Sequence, residues 1–164
     1  MVLGYGERYG LQTLVETGTF MGDTVAAGLT QFGRIYSVEL SAGLARLAQQ
    51  RFQADPHVTI LQGDSASVLP GILAQVHGPC LFWLDGHYSG GITALGSAVT
   101  PVLAELEAVF AHAVRTHVIL IDDARDFRPE KNHPTLEELR AFVAARRPDL
   151  LFEVEDDIIR LHRA

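Results

Sequence analysis

Short apolar runs alternate along this chain with segments whose apolar residues recur at helical spacing. The runs cover residues 13–15, 35–38, 58–61, 81–84 and 118–121. None alternates with polar residues, which is the pattern of parallel strands covered on both faces. Between the runs, Leu44, Leu47, Ala48 and Phe52 share one helical face. So do Leu103, Leu106 and Phe110, and again Leu136, Leu139 and Val143. Helix starts are signposted as well. Ser41 is placed to cap a helix, and Thr100-Pro101 puts a proline at a first helical position, where its missing N–H costs nothing. Thr135 and Glu138 form a capping box.

The pattern then changes. Segments 150–154 and 158–161 are strand-like and separated only by Glu155, Asp156 and Asp157. That gap is too short for a crossover helix, so the two predict an antiparallel hairpin. Five βα units closed by a hairpin predict an α/β protein with a doubly wound, mostly parallel sheet, in one domain spanning 1–164. A plain dinucleotide-binding domain would close with another parallel strand.

Bulk properties narrow the partners. The 164 residues are 48% hydrophobic and 20% charged, the balance of an ordinary globular domain. Net charge is −7, and no basic run exceeds Arg146-Arg147. That argues against a nucleic-acid backbone or an anionic membrane as partner. The single cysteine, Cys80, lies in an apolar run and is expected to be buried and inert. No apolar stretch approaches the ~20 residues of a membrane span, and no charged-then-apolar leader opens the chain. A cytoplasmic location is expected.

In open parallel sheets, ligands bind beyond the carboxyl ends of the strands, where strand order reverses. The first run is followed by Glu16-Thr17-Gly18-Thr19-Phe20-Met21-Gly22. Gly18 suits a tight turn with close backbone approach to a ligand, or an ordinary strand-to-helix turn. Glu39 follows the second run and can hold two ribose hydroxyls, or serve as a carboxylate at a helix start. Gly63-Asp64-Ser65 follows the third, where Asp64 can accept from an adenine amino group, cap a helix, or do both. Asp85-Gly86-His87-Tyr88 follows the fourth run, and Asp122-Asp123-Ala124-Arg125 the fifth. If those strands are neighbours, Asp85, Asp122 and Asp123 converge. Such carboxylates either acquire raised pKa values or take a cation, and an oxygen-only set suits Mg²⁺. The plainer reading is that Asp122 or Asp123 caps a turn or pairs with Arg125 or Arg128. Residues 89–100 are Gly-rich and read as a loop over the pocket, and 126–133 as a second polar loop. His57, His77, His112 and His162 lack chemical company and are expected in solvent.

The order and spacing of Glu16-x-Gly18-x-Phe20-x-Gly22, then Glu39, then Gly63-Asp64-Ser65, resemble the cofactor signature of class I S-adenosylmethionine-dependent methyltransferases. The similarity runs from about residue 11 to 161. Many members carry a third glycine where this chain has Phe20. The metal-dependent O-methyltransferases of catechols and macrolide sugars (the macrocin type) place an aromatic there, and their acidic strand ends resemble Asp85 and Asp122-Asp123. The resemblance implies a seven-stranded Rossmann-like sheet. It implies that S-adenosylmethionine lies against Glu16, Gly18, Thr19, Phe20, Gly22 and Thr24. It extends the contacts to Glu39, Leu40, Gly63, Asp64, Ser65 and Asp85. It implies Mg²⁺ held by Asp85, Asp122 and Asp123, with His87, or less suitably Tyr88, as the base. Transfer to a hydroxyl of a small molecule or glycoside is then expected, with a homodimer as one way to complete the acceptor site. The competing readings are a nicotinamide- or nucleotide-binding enzyme on the same fold, and a non-catalytic cofactor-binding domain.

Overall fold

In the computed structural model, which describes residues 1–85, 101–131 and 133–164, the apolar runs become the central strands of one seven-stranded sheet. The strands are β1 (Thr13–Thr17), β2 (Arg34–Glu39), β3 (Val58–Gln62), β4 (Cys80–Leu84), β5 (Val118–Ile121), β6 (Leu151–Glu155) and β7 (Ile158–His162). Their order is β3-β2-β1-β4-β5-β7-β6. β1 to β5 are mutually parallel, and β7 inserts antiparallel between β5 and β6. The hairpin expected from the short acidic gap is therefore present. Its turn residues Asp156 and Asp157 have φ of 53° and 66°, the two positive values that match the twist of tightly connected strands.

Helices cover both faces, which is why the central runs carry no polar alternation. Val15, Val38, Phe82, Ile119 and Ile121 point to one core with Leu69 and Ile72 of α4 (Ser65–Leu73), Leu106 of α5 (Val102–Ala111) and Leu139 of α6 (Leu136–Arg146). Leu14, Ile35, Leu81, Trp83 and Leu120 point to the other. There they meet Val25 of α2 (Asp23–Gly28) and Ala48 of α3 (Ala42–Arg51), with Tyr5 of α1 (Val2–Arg8) at the margin. Every residue of β4 is buried, whereas β6, at the sheet edge, is mostly exposed. Cys80 is buried as expected, and burial pushes its thiol up to about 12. Among the described residues, no helix is long and apolar enough to cross a membrane.

The caps read from sequence hold, with one shift. Ser41 Oγ accepts from the Leu44 N–H, and Thr135 and Glu138 bond reciprocally. Pro101 is the N-cap of α5 rather than its first helical residue. Two helical faces rotate relative to expectation. Leu47 and Leu103 are exposed, and Glu105 is buried on α5 beside Leu106. Three of the histidines expected in solvent have partners instead. His162 is buried and bonds Tyr9 Oη at 3.0 Å, half-buried His112 has Nδ1 2.9 Å from His117 Nε2, and half-buried His57 has Nε2 3.1 Å from the Leu29 carbonyl.

Candidate active site

The strand order reverses between β1 and β4, so their carboxyl ends diverge into the helices on opposite faces and leave a crevice. All the sequence-nominated residues that the structure describes lie on this edge. At the end of β1, the Gly18 and Thr19 N–H groups both bond the Val38 carbonyl, at 2.9 and 3.2 Å. This fastens the turn to the end of β2. Gly18 and Gly22 have φ of 88° and 79°, a region where a side chain is strained. A Cβ on Gly22 would also come within 2.7 Å of the Phe52 ring.

Phe20 lies between them at φ 46°, the same left-handed region without a glycine's freedom. Its backbone thus keeps the shape a third glycine would have, and the strain of a non-glycine is offset by a charged acceptor. Glu39 Oε2 takes the Phe20 N–H at 2.8 Å, and Oε1 takes the Ser41 N–H at 2.8 Å. Glu39 is 5% exposed, and each oxygen retains a second lone pair. Leu40 continues past it, its carbonyl held by Gln62 Nε2 at 3.0 Å.

Glu16 pairs across the ladder with Ser37, and a chain of hydroxyls runs outward from it. Ser37 Oγ donates to Glu16 Oε2 at 2.5 Å, and Thr19 Oγ1 lies 2.6 Å from Ser37 Oγ. Burial pushes the Glu16 carboxyl up to about 7 against the pull of Ser37 and Thr24, with the Glu39 charge adding to the rise. At the end of β3, Gly63 has φ 152° and its N–H bonds the Glu39 carbonyl at 3.0 Å. Asp64 is the N-cap of α4 and accepts the Ala66 N–H at 3.1 Å. The capping alternative for Asp64 is thus realised.

The other half of the edge is built differently. β4 and β5 pair directly, with Leu84 opposite Ile121. The Asp85 N–H bonds the Thr17 carbonyl at 3.0 Å, and the Asp122 N–H bonds the Leu84 carbonyl at 3.1 Å. The two acids therefore leave adjacent strand ends side by side. Burial, then the charges of Asp122, Asp123 and Glu16, push the Asp85 carboxyl up to about 8. Asp123, at φ 52°, holds Arg125 Nη2 at 2.6 Å, and Asp122 Oδ1 accepts the Asp123 N–H at 2.8 Å. The arginine pairing read as the plainer alternative is thus present for Asp123. Among the described residues, no group of three His, Cys, Asp or Glu stands ready to hold a metal ion. His87, Tyr88 and the Gly-rich stretch 89–100 lie outside the described residues.

One acid at this edge escaped the sequence reading. Glu105, on the first turn of α5, is 1% exposed and lies against the Ser65 and Thr17 hydroxyls and the Asp64 charge. Burial pushes its carboxyl up to about 7. The available signal was an acid flanked by Val102, Leu106 and Val109 on the face that packs on the sheet.

Solved structures of methyltransferases share this fold at low identity. An O-methyltransferase from Bacillus cereus with SAH bound superposes at TM-score 0.70 and 17% identity, over 99% of this chain and 79% of that one. TomG of Streptomyces achromogenes, an O-methyltransferase of tomaymycin synthesis with SAM bound, gives 0.69 and 15%, over 99% and 78%. The 23S rRNA methyltransferase ErmE gives 0.61 and 15%, over 99% and 67%. No protein-family model matches the chain, and no curated protein matches it.

Proposed function

We propose that this protein transfers a methyl group from S-adenosylmethionine to a hydroxyl of a small molecule or glycoside, with Mg²⁺ assisting. The observation that carries the cofactor reading is Glu39. It is a buried carboxylate at the end of β2, beside the switch point, with one lone pair of each oxygen spent on shaping the Phe20 turn. The remaining pair on each oxygen suits two vicinal ribose hydroxyls, a charge-assisted arrangement. Asp64 and Ser65 stand where an adenine edge would end, and Gly18, Thr19 and Gly22 offer backbone close by. That two neighbours of the same fold were crystallised with SAH or SAM supports the choice of cofactor.

When bound, S-adenosylmethionine supplies an electrophilic methyl on a sulfonium centre. The chain's own task is to hold a hydroxyl in line with it, which is where most of the rate gain in such transfers arises. The proton of that hydroxyl must leave to a base, and His87, two residues beyond Asp85, is the residue proposed for it, with Tyr88 second. Asp85, Asp122 and Asp123 would hold the magnesium ion. Their chemistry fits, because the Asp85 carboxyl, pushed up by burial and then by the charges of Asp122, Asp123 and Glu16, would be relieved by a divalent cation bound through oxygen. Occupancy would require Asp123 to give up Arg125. The ion would lower the pKa of the acceptor hydroxyl.

Calorimetry with SAH and with NAD tests the cofactor: SAH should stabilise the fold and NAD should not. Stabilisation by NAD alone would replace this reading with the nicotinamide one. A methyl-transfer panel of phenols, catechols and glycosides, run in chelator and with Mg²⁺ restored, tests the rest. Full activity in excess chelator would remove the metal and leave His87 acting alone.

A further inference from the structure

One row of side chains crosses the sheet close to the carboxyl ends of its strands. Ladder register sets Ile60, Ser37, Glu16 and Trp83 side by side on β3, β2, β1 and β4. Ile60 and Trp83 belong to the apolar core on this face, as does Ile35, two positions before Ser37. An apolar residue at 37 would continue that core. Instead the chain buries a hydroxyl at 0% exposure, which is costly unless the hydroxyl is bonded. That hydroxyl is used twice. Ser37 Oγ donates to Glu16 Oε2 at 2.5 Å, and Thr19 Oγ1 lies 2.6 Å from it. A hydroxyl carries one proton, so Thr19 is the donor to Ser37 while Glu16 is ionised. Thr19, itself 3% exposed, is thereby held to β2 at two points. Its side chain meets Ser37, and its N–H meets the Val38 carbonyl, which the Gly18 N–H shares.

We infer that Ser37 is a positioning residue, which joins the Thr19 hydroxyl to Glu16 and so fixes the turn that follows β1 at the edge of the crevice. Ser37 acts through Thr19 and Glu16 and touches no ligand itself. That the turn receives S-adenosylmethionine rests on the methyl-transfer reading. The clasp does not. Without the Ser37 hydroxyl, Thr19 keeps only its backbone bond to Val38, and two buried polar groups lose the partner they share.

The test is a double-mutant cycle of Ser37→Ala and Thr19→Val, with Ser37→Thr as the variant that keeps the hydroxyl. SAH affinity is measured by calorimetry at about pH 8, above the Glu16 value of about 7, so that the carboxylate accepts. Ser37→Ala should bind about tenfold more weakly than wild type, and Ser37→Thr within about threefold of it. The double variant should bind no more weakly than Thr19→Val alone, because both substitutions break the same bond. Losses that multiply would mean that Ser37 and Thr19 act separately, and would overturn the inference. Hydrogen exchange of the unliganded protein is the second readout. Ser37→Ala should quicken it at the Gly18 and Thr19 amides while β4 and β5 stay protected. Unchanged exchange at those two amides would overturn the inference, as would a folded threonine variant as weak as alanine. Should the threonine variant fail to fold, the cycle and the exchange decide. If wild type itself fails to bind SAH, the methyl-transfer reading falls, and the exchange of Ser37→Ala against wild type still decides the role of Ser37.

Discussion

The strand-end edge has two halves with opposite electrostatic designs. Across β1, β2 and β3, each acid is met by donors of the chain itself. Glu39 takes two backbone N–H groups, Asp64 takes one, and Glu16 takes the Ser37 hydroxyl. Across β4 and β5, burial and then the charges of Asp122, Asp123 and Glu16 push the Asp85 carboxyl up to about 8. The first half is shaped before any ligand arrives. In the second, Asp123 holds Arg125 and Asp122 accepts the Asp123 N–H, while the protonated form of Asp85 is favoured. Under the proposed function, the first half would bind the cofactor and the second would face the acceptor.

The contrast can be broken most sharply at Gly18. At φ 88° a β-branched side chain strains the turn beside the proposed cofactor site. Gly18→Val should weaken SAH binding by about 100-fold or more with the strands intact. Ordinary calorimetric affinity in a folded variant would mean the first half is not preformed for a ligand.

Glu16 sits where the halves meet, and pH reads its position. Its ordinary value is 4.5, and the folded protein raises it to about 7. Between those values the unfolded chain releases a proton that the folded chain keeps. The Glu16 contribution therefore falls as pH rises through that window, by on the order of 3 kcal/mol in full. Urea unfolding from pH 4.5 to 7.5 should show a flatter decline for Glu16→Gln than for wild type. Parallel curves would place Glu16 outside the buried edge.

Glu39→Ala removes the acceptor for two backbone N–H groups and for the proposed ribose. A loss of roughly 1.5–3 kcal/mol in SAH affinity is expected, with the melting point lowered as the Phe20 turn relaxes. Unaltered SAH titration would reduce Glu39 to a loop brace. The smallest effect comes from paired caps. Thr135→Ala and Asp64→Ala should each cost about 1 kcal/mol of stability, but only the Asp64 variant should also weaken SAH. Equal binding in both would make Asp64 a cap alone.

The sheet was legible because its strands are short, apolar and covered on both faces, so their ends, and with them Glu16, Glu39, Asp64, Asp85 and Asp122, follow directly. The hairpin was legible from three acidic residues too few to cross over. What could not be read was rotational phase. In a ten-residue helix as apolar as α5, either Leu103 or Glu105 can face inward, and packing on α4 decides it. The same ambiguity left Leu47 exposed on α3. Solvent was the wrong expectation for His162 because its partners, Tyr9 and Glu153, come from α1's end and from β6.

The hairpin turn also closes a long-range contact. The Asp157 carbonyl takes the Ala124 N–H at 2.8 Å, and its carboxylate takes the Arg125 N–H at 2.7 Å, across 32 positions of sequence. The bend that follows Asp122 and Asp123 is thus clasped from β7's side. Such distant closures form slowly compared with neighbouring βα units. A chain with β1, β2 and β3 assembled but the hairpin undocked would already hold the Glu39 cradle while the acidic bend hung loose.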